Sequence, residues 1–205
     1  MAEERRARAP GSKERILRAA VHVASVHGYG GTTIKRISEE SGLPPSSLYW
    51  HFGNKDRLLA AALEHGFQEW GRGLRVRDEP HADLEQAVRR RLRGGLRAVV
   101  ETPAAWQLGL MLSLQTPVQA VEAREAFLAV HGRAVEGLAA WWMEVLPADV
   151  ADPALARRLS ASLLAVLDGL YVAHASGLFP DLEAVADRFA RGIVAHVERL
   201  RERAA

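Results

Sequence analysis

Apolar side chains recur at steps of three and four residues along most of this chain, and no stretch alternates apolar and polar residues as a strand would. Of its 205 residues, 48% are apolar, which is enough to bury a substantial core. The pattern predicts nine helices and no sheet, and therefore an all-α fold.

Capping residues and helix breakers divide this pattern into segments. Ser12 is expected to cap a first helix that ends near His27, because a run of glycines and a tyrosine at residues 28–31 follows. One face of that helix carries apolar residues up to Val26. Five later helices are expected at about 82–101, 104–115, 117–146, 153–176 and 182–203.

Between these regions lie two short helices and the start of a longer one. Thr33 can cap the second helix, which ends at Gly42, and Pro45 suits the first turn of a third helix that ends at about Phe52. Asn54 can cap a fourth helix. Two short helices joined by a glycine-containing turn are typical of a helix-turn-helix. We expect this motif to lie within about residues 33–52 and to hold DNA.

The distribution of charge agrees with this interpretation. Residues 1–60 hold ten Lys/Arg against six Asp/Glu, and residues 61–205 hold seventeen against nineteen. A basic head on a slightly acidic body suggests a polyanion as the partner of the head. We expect four parts: a disordered basic arm at 1–11, a three-helix helix-turn-helix head at 12–54, a linking helix at 55–77, and a ligand-binding and dimerisation body at 78–205.

Within the motif, Ile37 and Leu48 are expected to hold the two helices together, and Gly42 permits the sharp turn. The residues that can be compared with known families are Ser12-Lys13-Glu14-Arg15-Ile16-Leu17, Gly28-Tyr29, Thr32-Thr33-Ile34, Ile37, Gly42-Leu43, Leu48-Tyr49-Trp50-His51-Phe52, Asn54-Lys55 and Leu58-Leu59. In their types and spacing, the chain resembles the tetracycline-repressor (TetR) family of regulators over about residues 12–70.

The resemblance implies roles for nine residues in DNA binding. The phosphate contacts would be Thr33, Ser47, Tyr49, His51 and Lys55. Lys35, Pro45 and Ser46 would approach base edges, which carry the sequence information. For Trp50 two roles remain possible: contact with DNA, or packing against the first helix. Pro44 departs from the family, which usually has a capping serine there, so Ser46 or Ser47 would have to satisfy the exposed amides.

The body is expected to hold a small hydrophobic effector that is neutral or weakly anionic. Aromatic bulk with a few polar groups is typical of ligand pockets, although a filled core uses similar residues. The candidate lining residues are Trp106, Leu110, Met111, Phe127, His131, Trp142, Tyr171 and His174. We expect the arginines at 89, 90, 91 and 93 to face solvent or the DNA side.

Small residues also recur at steps of four, at Ala161, Ala165, Gly169 and Ala173. This stripe permits close helix approach, either inside one subunit or at a dimer seam. The resemblance favours a homodimer interface built from the last two helices.

Several classes of protein are not supported by the sequence. The chain has no cysteine, and we expect no metal site, cofactor or catalytic residue, and no enzyme activity. The charged N-terminus predicts no signal peptide, and the longest uncharged run, residues 102–121, contains two prolines. We therefore expect a cytoplasmic protein that does not span a membrane.

The predicted function is a ligand-responsive, DNA-binding transcriptional regulator, a repressor that a small hydrophobic effector releases from a pseudo-palindromic double-stranded operator. One alternative is a ligand-independent DNA-binding dimer with a filled helical core. A second is a helical enzyme or lipid carrier with a borrowed head, which the set of phosphate contacts disfavours.

Overall fold

The computed structural model describes residues 11–73, 83–101, 103–114, 121–178 and 181–204. In these ranges the chain forms nine helices and no strand, which confirms the all-α prediction. The helices are α1 (Ser12–Gly31), α2 (Ile34–Ser41), α3 (Pro45–Phe52), α4 (Lys55–Gly73), α5 (Leu84–Glu101), α6 (Pro103–Ser113), α7 (Val121–Val145), α8 (Pro153–Ala175) and α9 (Leu182–Ala204). The expected arm, apart from Gly11, and the expected starts of two helices at residues 82 and 117 lie outside the described residues.

The local signals around α2 and α3 are confirmed. The Thr33 hydroxyl accepts a hydrogen bond from the Arg36 amide at 3.2 Å, and Gly42 ends α2 in the left-handed region at φ 64°. The Asn54 side chain accepts from the Arg57 amide at 2.8 Å and caps α4. Each of these bonds joins residues three positions apart, so the sequence alone can encode it.

Both ends of α1 differ from the prediction. Gly11 is the N-cap and Ser12 is already helical. At the other end, α1 continues to Gly31 through a kink at Gly28, whose φ of 68° suits glycine. The Thr32 hydroxyl donates to the Gly28 carbonyl at 2.6 Å and stabilises the kink. Val26 is 61% exposed and is not part of the buried face.

The chain divides into two compact units. The first contains the described residues of Met1–Phe67 and Ala104–Leu128, and so includes α1 to α3, most of α4, α6 and the start of α7. Its core includes fully buried leucines of α4. Two glycines allow unusually close packing inside it. A Cβ on Gly66 would clash with the Ala105 Cβ, and one on Gly109 would clash with the Phe127 ring.

The second unit contains the described residues of Gln68–Pro103 and Ala129–Ala205, in which α5 packs against α8 and α9. Arg93 donates to both carboxylate oxygens of Asp187 on α9, at 2.8 and 2.7 Å. Arg89 also pairs with Asp187, and the Arg91 guanidinium lies 4.5 Å from the ring centroid of Trp141. The expectation that this arginine run faces solvent or DNA is therefore wrong, because α9 carboxylates and an α7 ring surround it. Atoms Nε and Nη2 of Arg90 are buried as well.

Candidate DNA interface

The motif α2–α3 is held from inside by apolar side chains. Ile37 of α2 and Leu48 of α3 are almost completely buried. Phe52, one helical turn after Leu48, is buried as well. Two side chains fix the turn between the helices: Ser38 donates to the Leu43 carbonyl and Arg15 to the Ser41 carbonyl, each at 2.6 Å. These bonds satisfy one carbonyl at the end of α2 and one in the turn that follows, and so hold the turn in place.

The opposite face of α3 is open to solvent. Trp50 is 81% exposed and Tyr49 is 54% exposed, and Pro45 and Ser46 are exposed at the start of the helix. The Trp50 ring meets the His51 ring edge-on at a centroid separation of 4.6 Å and does not pack into the core of α1. Large exposed aromatic groups on a short helix, with small residues before them, form a surface that can contact base edges or phosphates.

The N-terminus of α3 has no side-chain cap, as the proline at position 44 led us to expect. Pro44 takes the N-cap position without a side-chain bond, and the Ser47 amide donates to the Pro44 carbonyl at 2.9 Å. Amides at a helix N-terminus attract anions, and here the N-cap side chain occupies none of them.

The other candidate DNA residues lie on α2, at its N-cap and on α3 itself. Thr33 and Lys35 are exposed, and Lys35 lies 3.9 Å from Glu39 on the same helix. Ser47 and His51 are half-buried, and the His51 Nε2 atom lies 3.4 Å from the Ser12 hydroxyl at the start of α1. The sequence contains no local signal for this last contact, because the two residues are 39 positions apart.

Lys55 has a more structural environment than the sequence suggests. Its ammonium donates to the Tyr29 carbonyl at 3.0 Å and lies 3.9 Å from the centroid of the Tyr29 ring. Burial lowers the pKa of Lys55, and the nearby Asp56 carboxylate acts in the opposite direction. An ammonium has three donors, so one bond to Tyr29 leaves capacity for a phosphate oxygen.

Sequence reasoning missed a contact between the first turn of α4 and the start of α7. The Asp56 carboxylate accepts hydrogen bonds from the backbone amides of Glu122 at 2.8 Å and Ala123 at 3.3 Å. Arg57 pairs with the Glu122 carboxylate at 3.1 Å. In the sequence, Asp56 is an ordinary acidic residue in the first turn of α4. The residues around it therefore do not indicate a partner 66 positions away.

Helix α6 contacts the end of α1 in the same unit. The Gln107 side chain donates to the Ser25 carbonyl at 3.3 Å. The Met111 methyl group lies 3.4 Å from the position of a Cβ on Gly28, at the kink. The kink therefore has both Lys55 of α4 and Met111 of α6 as close neighbours.

The candidate effector residues fall in both units. In the first unit, Trp106 and Phe127 are buried, and Leu110 and Met111 are half-buried. The centroid of the Phe67 ring lies 5.2 Å from that of Trp106 and 6.0 Å from that of Phe127. In the second unit, Trp142 and Tyr171 are buried, His131 is half-buried and His174 is exposed. His131 Nε2 lies 3.6 Å from an oxygen of Asp168, and burial raises the pKa of the Tyr171 phenol.

The candidate dimer residues lie along α8. Ala161, Ala165 and Gly169 are exposed, whereas Ala173 is 8% exposed and is buried within its own chain. A mostly apolar groove of about 440 Å³ lies beside them, between α8 and α9. It is lined by Leu159, Ser162, Arg188, Phe189, Gly192, Ile193 and His196.

The described residues contain neither a candidate membrane-spanning helix nor a candidate metal site. No described helix combines the length and apolar character that a bilayer crossing requires. No three His, Cys, Asp or Glu side chains in the described ranges come together as metal ligands would.

Comparisons of sequence show what the head is similar to. Residues 16–62 match the family described as bacterial regulatory proteins, tetR family. The HTH-type transcriptional regulator BetI of Brucella abortus is 26% identical over 172 residues, which cover 82% of this chain and 82% of that protein. The HTH-type transcriptional regulator LmrA of Bacillus subtilis is 45% identical over 53 residues, which are 25% of this chain and 28% of that protein.

Comparisons of structure extend the similarity of fold to most of the chain. A putative TetR-family transcriptional regulator from Rhodococcus sp. matches with a TM-score of 0.72 at 19% identity, covering 91% of this chain and 97% of that one. A TetR transcription regulator from Haloarcula marismortui matches with a TM-score of 0.68 at 22% identity, covering 88% and 95%. With the helix-turn-helix geometry of α2–α3, these matches identify residues 16–62 as a DNA-binding head of the tetR family of bacterial regulatory proteins, and they show that most of the chain shares the fold of TetR-family regulators.

Proposed function

We propose that the chain acts as a cytoplasmic homodimeric repressor, which a small hydrophobic effector releases from a pseudo-palindromic operator. The observation that carries the DNA-binding part is the division of α3 into two faces. Leu48 and Phe52 are buried, while Tyr49 and Trp50 are exposed to solvent, and the N-terminus of the same helix has no side-chain cap. A fixed helix with an exposed reading face is what a major groove accepts.

In this proposal, phosphate contacts set the register of the head on DNA. The residues assigned to phosphates are Thr33, Ser47, Tyr49, His51 and Lys55. Thr33 and Lys55 already make intramolecular bonds, but a hydroxyl and an ammonium each keep a free donor. Lys35, Pro45, Ser46 and Trp50 are assigned to the base edges, because all four are exposed on α2 and α3.

Dimerisation is assigned to the exposed face of α8 and α9. Ala161, Ala165 and Gly169 are small and exposed, and the adjacent groove exposes Phe189 at its edge. A second copy that covers this face would bury apolar surface, and the small residues would let the helices approach closely. Two heads held in this way would reach successive major grooves about 34–36 Å apart.

The response to an effector is the finer part of the proposal. Each unit supplies candidate residues by itself: the first holds the buried rings of Trp106 and Phe127, and the second holds Trp142, His131 and the buried Tyr171 phenol. Binding that prefers one arrangement of the heads would shift their population and change the affinity for DNA. The close contact of Gly109 with Phe127 favours the second candidate, a ligand-independent dimer whose core is filled.

Genome-wide capture of DNA fragments on the purified protein tests the first part. We expect enrichment of a pseudo-palindromic site, and fluorescence anisotropy on that duplex should show affinity that falls steeply with salt. Capture of no preferred site would overturn the assignment of α3.

A thermal-shift screen tests the second part. A hydrophobic compound that binds the folded state should raise the melting temperature and release the captured duplex. If a broad hydrophobic library changes neither the melting temperature nor DNA binding, the ligand-independent dimer is the correct function.

A further inference from the structure

The first turn of α4 is bound on two sides within the first unit. On one side, Lys55 donates to the Tyr29 carbonyl beside the kink of α1 at 3.0 Å. On the other, the Asp56 carboxylate receives the amides of Glu122 and Ala123 at 2.8 and 3.3 Å. Adjacent residues of one turn therefore connect the DNA-binding head to the N-terminus of α7.

The Asp56 contact has the chemistry of a helix cap supplied from a distant element. The first amides of a helix have no partner within the helix, and a carboxylate there also interacts favourably with the helix dipole. Both carboxylate oxygens are used, one for each amide. Arg57 strengthens the same junction through its ion pair with Glu122. The start of α7 is thus fixed to α4 by side chains of α4.

The recognition helix is directly attached to this junction. Only Gly53 and Asn54 separate the last residue of α3 from Lys55, and Asn54 caps α4 through its bond to the Arg57 amide. The Gly53 amide in turn donates to the Tyr49 carbonyl at 2.8 Å. A displacement of the first turn of α4 must therefore be carried into the exposed face of α3.

We propose that Asp56 is a positioning residue that fixes the recognition helix to the N-terminus of α7 and so makes operator affinity depend on the position of α7. This inference rests on the proposed function, since α7 also carries the candidate effector residues Phe127, His131 and Trp142. Asp56 needs no contact with DNA in this role. It acts on the orientation of α3, through the amides of Glu122 and Ala123.

Whether operator affinity rises or falls when Asp56 is replaced distinguishes a positioning role from a purely electrostatic one. Removing a negative charge next to a phosphate-binding surface raises affinity for any duplex. Loss of the cap frees α4 and α3 to adopt several orientations, which lowers affinity for the operator in particular. Replacing Asp56 should therefore reduce operator affinity although the head becomes more basic.

The test compares Asp56→Ala and Asp56→Asn with the control Glu125→Gln, which removes the same charge from an exposed position on α7. The probes are the captured operator duplex and an unrelated duplex of equal length. We expect Asp56→Ala to weaken operator binding by at least about 5-fold, the lower range of coupling between sites, without weakening binding to the unrelated duplex. Asp56→Asn keeps one acceptor oxygen and should fall between Asp56→Ala and the wild type.

Amide hydrogen exchange supplies a readout that is independent of DNA. Peptides covering residues 121–127 should exchange faster in Asp56→Ala than in the wild type or Glu125→Gln, because two amides lose their acceptor. Operator affinity equal to or above the wild-type value would overturn the inference, as would unchanged exchange at α7. If the wild type binds no DNA, the proposed function fails, and the exchange experiment still decides whether Asp56 caps α7.

Discussion

The ammonium of Lys55 and the carbonyl of Tyr29 are 3.0 Å apart, and the same ammonium lies 3.9 Å from the centroid of the Tyr29 ring. This pair joins the start of α4 to the kink of α1 across 26 residues of sequence. A residue that resembles a phosphate contact is therefore also part of the internal structure of the head. The two roles can be separated by experiment.

Replacing Lys55 by methionine should weaken DNA binding and also lower the melting temperature. Methionine keeps most of the apolar stem but supplies neither the donor to Tyr29 nor the charge for a phosphate. The slope of log affinity against log salt should become less steep by about 1 for each phosphate that the variant no longer neutralises. Anisotropy titrations between about 50 and 200 mM salt, with a thermal melt beside them, measure both effects. A variant with wild-type slope and wild-type melting temperature would contradict both roles.

Tyr49 offers the contrasting case, because its side chain is 54% exposed on α3. Tyr49→Ala should weaken operator binding while the free energy of unfolding changes by less than about 0.5 kcal/mol. The measurement is the same anisotropy titration with a denaturant melt. A large loss of stability with unchanged affinity per folded dimer would show that Tyr49 is structural.

The space around two glycines, Gly109 in the first unit and Gly137 in the second, predicts opposite effects for their substitution by alanine. Gly109→Ala places a methyl group against Phe127 and should destabilise the protein by about 1–3 kcal/mol. Gly137→Ala, in α7, places its new methyl group more than 4 Å from every atom other than its chain neighbours and the nearby backbone of its own helix, and it should stabilise the protein by about 0.5–1 kcal/mol. Urea unfolding of both variants checks the pair. Equal effects would mean that Phe127 moves aside freely.

The face of α8 can be tested by a charged substitution at Ala165, which is exposed in the isolated chain. An arginine there would be buried without a partner if a second copy covers this face, and dimers should dissociate. Ala129→Arg, at an exposed position of α7, is the control. Light scattering coupled to size-exclusion chromatography reports the mass. A fully dimeric Ala165→Arg variant of wild-type stability would place the interface elsewhere.

The stability of the second unit should depend on pH through Asp187. The hydrogen bond from Arg93 holds the pKa of Asp187 below its ordinary value of 3.8. An acid with a lowered pKa stabilises the folded state above the ordinary value, and this contribution disappears as the pH falls through the lowered one. Asp187→Asn should therefore lower the melting temperature at pH 7 and reduce its dependence on pH below about 4. Glu202→Gln, at an exposed position of α9, is the control, and melts that match between Asp187→Asn and this control would contradict the assignment.

Much of the fold and of the head could be predicted from the sequence by itself. Helix spacing follows from apolar periodicity, and Thr33, Gly42 and Asn54 act through bonds within three or four positions of themselves. Such local interactions are written directly in the order of residues. The same reasoning placed Leu48 and Phe52 inside the head, but it did not decide whether Trp50 contacts DNA or packs against the first helix. In the structure the Trp50 ring is exposed to solvent.

Only the tertiary structure decided which helices meet. Nothing near Asp56 indicates the amides of Glu122 and Ala123, and nothing near Arg93 indicates Asp187, because each pair is far apart in sequence. In the sequence, Gly109 is only a residue that weakens a helix. The structure shows why a glycine fits there, because the Phe127 ring packs against it. Local periodicity shows which face of a helix is apolar. The partner of that face depends on the packing of all the helices together, which no local pattern contains.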